Sequence, residues 1–352
     1  MTQHMGWGPG WGGWAPPPPP RPGVIPLAPL GVGDVLGGAL SALGRHWKQL
    51  LGLAAAAYGV VAVVFGGALV VAYSALRDEI ERLPHSDEGL APLLFTLGGL
   101  YVVGVLLLLV ANAVIYASCP AVLQDAVLGR TTTLAAVWRR VRPRLAAVLG
   151  TVLLTSLIAL VPLLLFAVAF GALFLSLFAA LGAGDLEFSG YAWVILFGFL
   201  GALLTGVLAV WLWVRFSLAP AAAVFEGQGT LAAMARSAQL VRGSWWRIFG
   251  ISLAGWLLAA IASYLIQLPF SLLSMAPGPA VAEDGQDGTT MIAVIVTALV
   301  FGLLTQVVGQ ILTAAYPQLV TGLLYVDQRI RKENLAPALA EAAAVPSAPV
   351  TT

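Results

Sequence analysis

The sequence has very few charged residues. Asp, Glu, Lys and Arg together make up 9% of its 352 residues, whereas hydrophobic types make up 60%. Soluble domains carry about 25% charged residues, so this composition excludes a water-soluble globular protein. The mean hydropathy is +0.93, and the apolar residues fall in runs longer than the roughly 20 residues that a helix needs to cross a bilayer. The sequence therefore predicts an all-α, polytopic membrane protein.

Cysteine and histidine are also scarce. The single cysteine, Cys119, excludes an intrachain disulfide and a thiolate metal cluster. The histidines are His4, His46 and His85, and the sequence contains no HExxH pair, no GxSxG elbow and no phosphate-binding loop. We therefore expect no catalytic residue, metal or cofactor, and we predict that the chain is not an enzyme. The net charge of +1 gives no reason to expect a nucleic-acid partner.

Glycine and proline are concentrated at the N-terminal end. Residues 1–24 are rich in Gly, Trp and Pro and cannot bury enough surface to fold, so they are predicted to be a disordered tail. Residues 336–352 are predicted to be a second flexible tail. Between them, residues 25–335 are predicted to form one membrane domain.

The domain contains six hydrophobic segments long enough to be transmembrane helices. The third segment is 37 residues long, about 55 Å as a helix, which exceeds the roughly 30 Å hydrocarbon core. Because this segment contains Pro162, we expect one tilted or kinked helix, and a re-entrant pair is the alternative. The six segments are Leu51–Leu76, Ala91–Tyr116, Leu145–Leu181, Tyr191–Val214, Ile248–Ala276 and Met291–Tyr316.

Charge is distributed unequally between the two ends of these segments. The loops after the first, third and fifth segments hold ten of the sixteen acids but two of the seventeen bases, Arg77 and Arg82. Short loops rich in Lys and Arg stay in the cytoplasm. The sequence therefore predicts that both termini are cytoplasmic and that the acidic loops, which carry Glu88 and Asp284, face the outside.

One passage occurs twice, about a hundred residues apart. "ASCPAVLQDAVLGRTTTLAAVWRR" (Ala117–Arg140) resembles "FSLAPAAAVFEGQGTLAAMARS" (Phe216–Ser237), and a more divergent third copy covers Gly33–Gly52. Each copy reads as a cytoplasmic, amphipathic interfacial helix followed by a membrane hairpin. The predicted fold is thus three pseudo-repeated hairpin units, in which the prolines that end the three returns to the cytoplasm are Pro120, Pro220 and Pro317.

The interfacial helices have expected caps and faces. Thr133, Thr230 and Asp34 are predicted N-caps, because their side-chain oxygens accept hydrogen bonds from free amides. Arg236 and Arg242 are expected to lie off the apolar face and to meet lipid phosphate. The predicted apolar face of the helix in the second passage consists of Leu231, Met234, Ala238, Val241 and Trp245.

The sequence resembles a known family along most of its length. The entry "RPGVIPLAPLGVGDVLGGALSALGRHWKQLLG", the second passage and the exit "LLYVDQRIRKENLAPALAEAA" are similar to actinobacterial integral membrane proteins. That group resembles the membrane domain attached to some glycerophosphoryl diester phosphodiesterases. The resemblance implies a membrane module in a bacterial plasma membrane. It does not imply the hydrolase activity, because the catalytic barrel and its His-Arg pair are missing.

Basic, acidic and aromatic residues at the predicted cytoplasmic rim are candidates for contact with anionic lipid headgroups. Arg215 is expected to be an interfacial anchor rather than a ligand, because the preceding 24 residues already span the bilayer. The acids Asp125, Glu226 and Asp327 either pair with nearby arginines or form a headgroup site, and structural pairing is favoured. The rim candidates are Arg215, Glu226, Arg139, Arg140, Arg242 and Trp245, with Arg329 as a further pairing arginine.

Polar residues inside the sixth segment are candidates for a different role. Gln306, Gln310 and Thr313 share one helix face, which either forms interhelical hydrogen bonds or lines a transport path. The function predicted first is a membrane scaffold or interaction module that contacts lipids and possible membrane-protein partners. The alternatives are a small-molecule or lipid transporter and an accessory subunit of a separate membrane enzyme.

Overall fold

The computed structural model describes residues 23–26, 28–82, 90–183, 192–275, 309, 313–335, 337–338 and 341, and no strand occurs among them. In chain order the helices are α1 (Val32–Arg45), α2 (Trp47–Arg82), α3 (Leu90–Val127), α4 (Leu134–Val141), α5 (Leu145–Ala183), α6 (Ala192–Phe216), α7 (Ala219–Phe225), α8 (Thr230–Val241), α9 (Trp245–Met275) and α10 (residues 313–333). A short 3₁₀ turn, Arg142–Arg144, connects α4 to α5. The predicted all-α class is therefore confirmed for this part of the chain.

Five of the helices, α2, α3, α5, α6 and α9, contain stretches long and apolar enough to cross a membrane. Large apolar side chains cover their outer surfaces; Val63 is 76% exposed and Leu175 is 64% exposed. So much contiguous apolar surface is incompatible with water and suits a lipid environment. The chain is a membrane protein, and these helices coincide with the first five predicted spans. The sixth predicted span, Met291–Tyr316, lies mostly outside the described residues.

The long third span is a single helix. α5 runs for 39 residues and continues through Pro162, so the re-entrant pair is not formed. At 1.5 Å per residue the helix is about 58 Å long. It packs along α6, and α2 packs along α3, so that each pair forms an antiparallel hairpin.

The core of the molecule lies at one end of these hairpins. The short helices α1, α4, α7 and α8 pack there with the last third of α3 and with α10, and we call this the basal layer. Many of its side chains are small, such as Ala117 and Ala222, so that the backbones approach closely. Leu123, Leu319 and Leu323 are fully buried between them, and each contributes about 1.5–3 kcal/mol of transfer free energy.

Pro120 and Pro317 do not end membrane helices as the sequence predicts, whereas Pro220 follows the end of α6 at Phe216. α3 runs through Pro120 to Val127, and Pro317 lies inside α10. Pro220 lies in the first turn of α7, where its missing N–H removes no intrahelical bond. An internal proline costs about 3 kcal/mol. Burial of the surrounding basal-layer residues outweighs this cost.

Two of the three predicted N-caps are wrong. Thr133 caps α4 as expected, accepting a hydrogen bond from the Ala136 N–H at 3.3 Å. The N-cap of α8 is Gly229, whereas Thr230 is the first helical residue and its hydroxyl donates to the Ala147 carbonyl at 3.2 Å. Asp34 stands three residues after the true cap of α1, Gly31, and its carboxylate accepts the Gly31 N–H at 3.0 Å.

Glycines with positive φ end two of the basal segments. Gly129 has φ 71° and follows α3. The Arg130 N–H donates to the Asp125 carbonyl at 2.9 Å and the Gly129 N–H to the Ala126 carbonyl at 3.2 Å, which is a Schellman motif. In the second passage the corresponding conformation belongs to Gly227, with φ 69°, and not to Gly229, which the sequence spacing pairs with Gly129.

Candidate functional site

Three carboxylates organise the basal layer. Asp125, Glu226 and Asp327 stand 101 residues apart along the chain. Each is placed at or near the end of a basal helical segment: α3, α7 and α10 respectively. Each forms an ion pair with at least one arginine. The three acids therefore hold similar positions in successive parts of the fold.

Asp327 is the most deeply buried of the three, with 0% of its side chain exposed. Its Oδ1 accepts the Leu30 N–H at 2.8 Å and the Arg331 Nε–H at 2.9 Å, and Arg247 lies 3.2 Å from Oδ2. The guanidinium groups of Arg247 and Arg331 also donate to the Leu30 carbonyl, at 2.7 and 2.9 Å. One carboxylate thus joins the segment before α1, the start of α9 and α10.

Glu226 joins α7, α8 and α10. Its carboxylate accepts hydrogen bonds from the Arg236 Nε–H at 3.0 and 3.2 Å, from the Gln228 Nε2–H at 2.7 Å and from the Tyr325 hydroxyl. Arg329 lies 3.8 Å away. Glu226 is 16% exposed, so these contacts are largely shielded from water.

Glu333 completes this cluster from the end of α10. It pairs with Arg236, and it accepts a hydrogen bond from Arg329 at 2.8 Å. Burial opposes the charge of Glu333, but the hydrogen bonds from Arg329 and Arg236 outweigh burial and lower its pKa. At Tyr325, burial raises the pKa of the phenol, and the hydrogen bond to Glu226 adds to the rise.

Asp125 forms the smallest cluster. Arg140 of α4 lies 3.1 Å from its carboxylate and donates to the Ala121 carbonyl at 2.9 Å. The three acids therefore have similar roles: Asp125 holds α4, Glu226 holds α8, and Asp327 holds Leu30, two residues before α1. Asp125 and Glu226 stand at the ends of α3 and α7 and each binds the short helix that follows, whereas Asp327, inside α10, binds the segment before α1.

The structure places Arg236 differently from its predicted position. The sequence assigns it to lipid phosphate, but its guanidinium lies between Glu226 and Glu333. The predicted apolar face of α8 is also partly wrong. Met234 and Val241 are buried as expected, but Leu231 is 75% exposed, and Ser237 and Leu240 lie on the buried face. The buried face is rotated because α8 packs on α7 and α5 through its small residues.

The other rim candidates lie apart from these clusters. Arg139 and Arg242 have exposed side chains and form no ion pair with the residues that the structure describes. Arg215 lies 5.0 Å from the centre of the Trp211 ring, a cation–π contact suited to an anchor. Trp245 donates from Nε1 to the Trp211 carbonyl at 3.3 Å and stacks on Phe249.

Three polar residues, Gln306, Gln310 and Thr313, are predicted to share one face of the sixth segment, and the structure describes one of them, Thr313. Thr313 donates its hydroxyl to the Gly309 carbonyl at 2.9 Å. Gln306 and Gln310 lie outside the described residues. In the same region, Ser263 donates to the Gly309 carbonyl at 3.2 Å and accepts from Gln267 at 2.9 Å.

Sequence reasoning missed a cavity lined by hydroxyl groups. Thr151 and Thr155 on α5, Ser252 on α9 and Thr321 on α10 converge on a space of about 240 Å³. The sequence contains only a weak signal for this cavity. Thr151 and Thr155 are one helical turn apart on an otherwise apolar helix, but their partners lie about a hundred and more residues later.

His46, between α1 and α2, is buried, and its Nε2 has no hydrogen-bond partner among the described residues. Burial lowers the pKa of His46, and Arg45 acts in the same direction, while Asp125 opposes them. The folded state therefore favours the neutral imidazole.

We expect the free energy of unfolding to fall as the pH drops below about 6.5, the ordinary pKa of histidine. In that range the unfolded chain binds a proton that folded His46 does not, so stability present above this pH is lost as the pH falls towards the folded pKa. Thermal unfolding of the detergent-solubilised protein across this range measures the slope. His46→Gln should flatten it and His4→Gln should not; equal slopes in all three proteins would contradict the assignment.

The geometry defines the class of this chain, a multi-pass helical membrane protein with a buried, ion-paired basal layer. Among the described residues, no group of three His, Cys, Asp or Glu side chains is arranged to hold a metal ion. The chain belongs to the family described as "Domain of unknown function (DUF7847)", whose model matches residues 30–319. No curated protein and no solved structure matches the chain.

Proposed function

We propose that the chain is a non-enzymatic interaction module of a bacterial plasma membrane that contacts anionic lipid through its basal layer. The supporting observation is that the short helices combine exposed apolar side chains with exposed arginines. Trp138 is 40% exposed and adjoins Arg139 on α4; Leu231 is 75% exposed on α8, which Arg242 follows. Apolar groups that enter the headgroup region beside arginines that meet phosphate are typical of interfacial helices.

The ion pairs divide the arginines of the basal layer into two groups. Arg140, Arg236, Arg247, Arg329 and Arg331 bind carboxylates of the same chain. Arg139 and Arg242 remain exposed to the surroundings. The lipid role therefore belongs to Arg139 and Arg242, while Glu226 and Arg140 have a structural role in holding the short helices.

The proposed architecture has six spans in three hairpin units, with both termini in the cytoplasm. The unequal distribution of basic residues supports this orientation, and the shared roles of Asp125, Glu226 and Asp327 support the three units. The resemblance to the membrane domain of glycerophosphoryl diester phosphodiesterases fits a module that acts beside separate membrane proteins. A reporter active only in the cytoplasm, fused after Ala343, should be active; activity of a periplasmic reporter at that site would contradict the orientation.

We expect Arg139→Gln/Arg242→Gln to reduce the amount of anionic lipid retained by the protein several-fold. Each arginine near an anionic surface contributes about 1 kcal/mol, roughly a fivefold change in partitioning. The measurement is the ratio of phosphatidylglycerol to phosphatidylcholine bound to the full chain, by native mass spectrometry after extraction from mixed vesicles.

The matched control is Arg77→Gln/Arg82→Gln, which removes the same charge from the far end of α2. This variant should retain anionic lipid at nearly the level of the unmodified protein. The proposal fails if the two double variants lose lipid equally, because the effect would then reflect net charge rather than the basal helices.

A further inference from the structure

The hydroxyl-lined cavity lies where α3, α5, α6, α7, α9 and α10 meet. Its volume is about 240 Å³, and it is bounded by prolines of the basal layer, Pro220 and Pro317, and by aromatic rings of α6 and α9. The polar groups on its wall come from at least four helices, α3, α5, α9 and α10. The lining includes Thr151, Thr155, Ser252, Thr321, Trp213 and Trp256.

The threonines of the wall present hydrogen-bond acceptors. Thr151 donates its hydroxyl proton to the Val148 carbonyl at 2.7 Å, and Thr155 donates to the Thr151 carbonyl at 2.9 Å. Thr321 donates in the same way to the Gln318 carbonyl at 3.1 Å. Because these protons are already engaged within the helices, the hydroxyl oxygens offer their lone pairs to a ligand that donates hydrogen bonds.

Ser252 is the group that indicates a missing partner. Its side chain is 3% exposed, and its Oγ is buried with no hydrogen-bond partner among the described residues. Leaving a buried hydroxyl unpaired is unfavourable, and most such groups in proteins are bonded to protein, water or ligand. A bound group that both donates and accepts would satisfy Ser252.

The absence of charge on the wall restricts the ligand. None of the described residues that line the cavity is Asp, Glu, Lys, Arg or His. A charged ligand would lose its hydration without gaining a counter-ion, which is strongly unfavourable. The wall therefore favours an uncharged ligand with hydroxyl groups.

The cavity adjoins the outer surface of the helices. Trp213 and Trp256 line it, yet they are 39% and 50% exposed. Aromatic rings with a few convergent polar groups are the usual lining of small-molecule sites, and a flat ring can pack on the C–H face of a polyhydroxyl group. The opening beside these rings admits a ligand from the surrounding phase.

We propose that this cavity binds an uncharged group that carries several hydroxyls, either as a free polyol or as the exposed head of a neutral lipid. The threonine acceptors, the unpaired Ser252 hydroxyl, the uncharged character of the described lining residues and the aromatic rim together support this chemistry. The site is independent of the proposed anionic-lipid contacts, because neither Arg139 nor Arg242 lines it.

The experiment compares the two sources of the ligand on the full chain in phosphatidylcholine nanodiscs. One arm titrates free myo-inositol; the other adds monoglucosyl-dioleoylglycerol, whose neutral sugar head carries several hydroxyls, with dioleoylglycerol as a control lipid that lacks the sugar. The readout is the shift of the thermal unfolding midpoint, which ligand binding to the folded state raises. Because polyols stabilise proteins by exclusion as well, only the saturable part of the shift is taken as binding, and it is compared between the unmodified protein and each variant.

Ser252→Ala and Thr155→Val should each weaken the apparent affinity roughly five- to tenfold, because each removes one hydrogen bond to the ligand. Thr205→Val is the matched control. Thr205 donates to the Gly201 carbonyl at 2.6 Å on α6 and does not line the cavity, so its substitution should leave the affinity unchanged. Ser252→Ala should fold normally, since the lost hydroxyl has no partner to lose.

A saturable shift with myo-inositol assigns the site to a free polyol. A shift with monoglucosyl-dioleoylglycerol that dioleoylglycerol does not produce assigns the site to a lipid head. The proposal is overturned if neither arm gives a saturable shift. It is equally overturned if the shift persists unchanged in both Ser252→Ala and Thr155→Val.

Discussion

Replacing Asp327 with alanine is expected to lower the free energy of unfolding by about 3–5 kcal/mol, the cost of removing one partner from a buried ion pair. The carboxylate is fully buried and holds two guanidinium groups and the Leu30 N–H. Without it, Arg247 and Arg331 approach each other around the Leu30 carbonyl with no negative charge between them. The measurement is chemical unfolding of the detergent-solubilised protein, followed by tryptophan fluorescence.

One further variant separates charge from hydrogen bonding at this site, and a second, at another site, tests the importance of burial. Asp327→Asn retains an oxygen that can accept from the Leu30 N–H, so its loss of stability should be smaller. Asp125→Ala is the matched control at the corresponding position of the first unit. Its partner Arg140 is 38% exposed, and water can solvate that arginine after the change, so a loss of about 1 kcal/mol is expected. Equal losses for Asp327→Ala and Asp125→Ala would contradict the importance of burial at Asp327.

The long helices could be predicted from the sequence because one physical term dominates them. A run such as the one in α5, with no charged residue over 39 positions, has no alternative to a membrane helix, since lipid leaves the backbone no other hydrogen-bond partner. The prediction placed α6 within two residues of its observed ends, Ala192 and Phe216. Hydropathy alone was enough for these elements.

The basal layer was harder to predict because its local signals compete with tertiary contacts. Thr133 and Thr230 occupy the same place in "TLAA", yet only Thr133 is a cap. Thr230 donates to the Ala147 carbonyl instead, because α8 packs on α5, and Gly150 leaves room for its side chain. Local sequence cannot distinguish these two outcomes, since the deciding carbonyl lies 83 residues away.

The ion-pair partners of the acids also could not be predicted from local sequence. The acids and arginines of the rim were identifiable as a group, but their pairing was not. Arg247 donates to the carbonyl of Leu30, 217 residues earlier, and Arg236 lies beside Glu333. Charge counting treats every rim arginine as equally available to lipid. The structure assigns five of them, Arg140, Arg236, Arg247, Arg329 and Arg331, to carboxylates of the chain and leaves Arg139 and Arg242 exposed.

Replacing Glu226 with glutamine is expected to lower the free energy of unfolding by about 2–4 kcal/mol. This isosteric change removes the charge that Arg236 and Arg329 face while the shape of the site is retained. The cost should depend on Arg236. In Arg236→Gln the carboxylate of Glu226 still accepts from Tyr325 and Gln228, whereas in the double variant the two amides can bond to each other.

The double-mutant cycle of Glu226→Gln and Arg236→Gln therefore tests whether the cluster acts as a unit. A favourable coupling of about 1–3 kcal/mol is expected, as for groups in one hydrogen-bonded network. The loss of unfolding free energy in the double variant should therefore be smaller than the sum of the losses in the two single variants. The control cycle pairs Glu226→Gln with Arg139→Gln, whose side chain forms no ion pair with described residues; this cycle should be additive within about 0.5 kcal/mol. Additive losses in the first cycle would mean that Glu226 does not hold α8 through Arg236. In that case Glu226 would not share the anchoring role that Asp125 has for α4 and Asp327 has for the segment before α1.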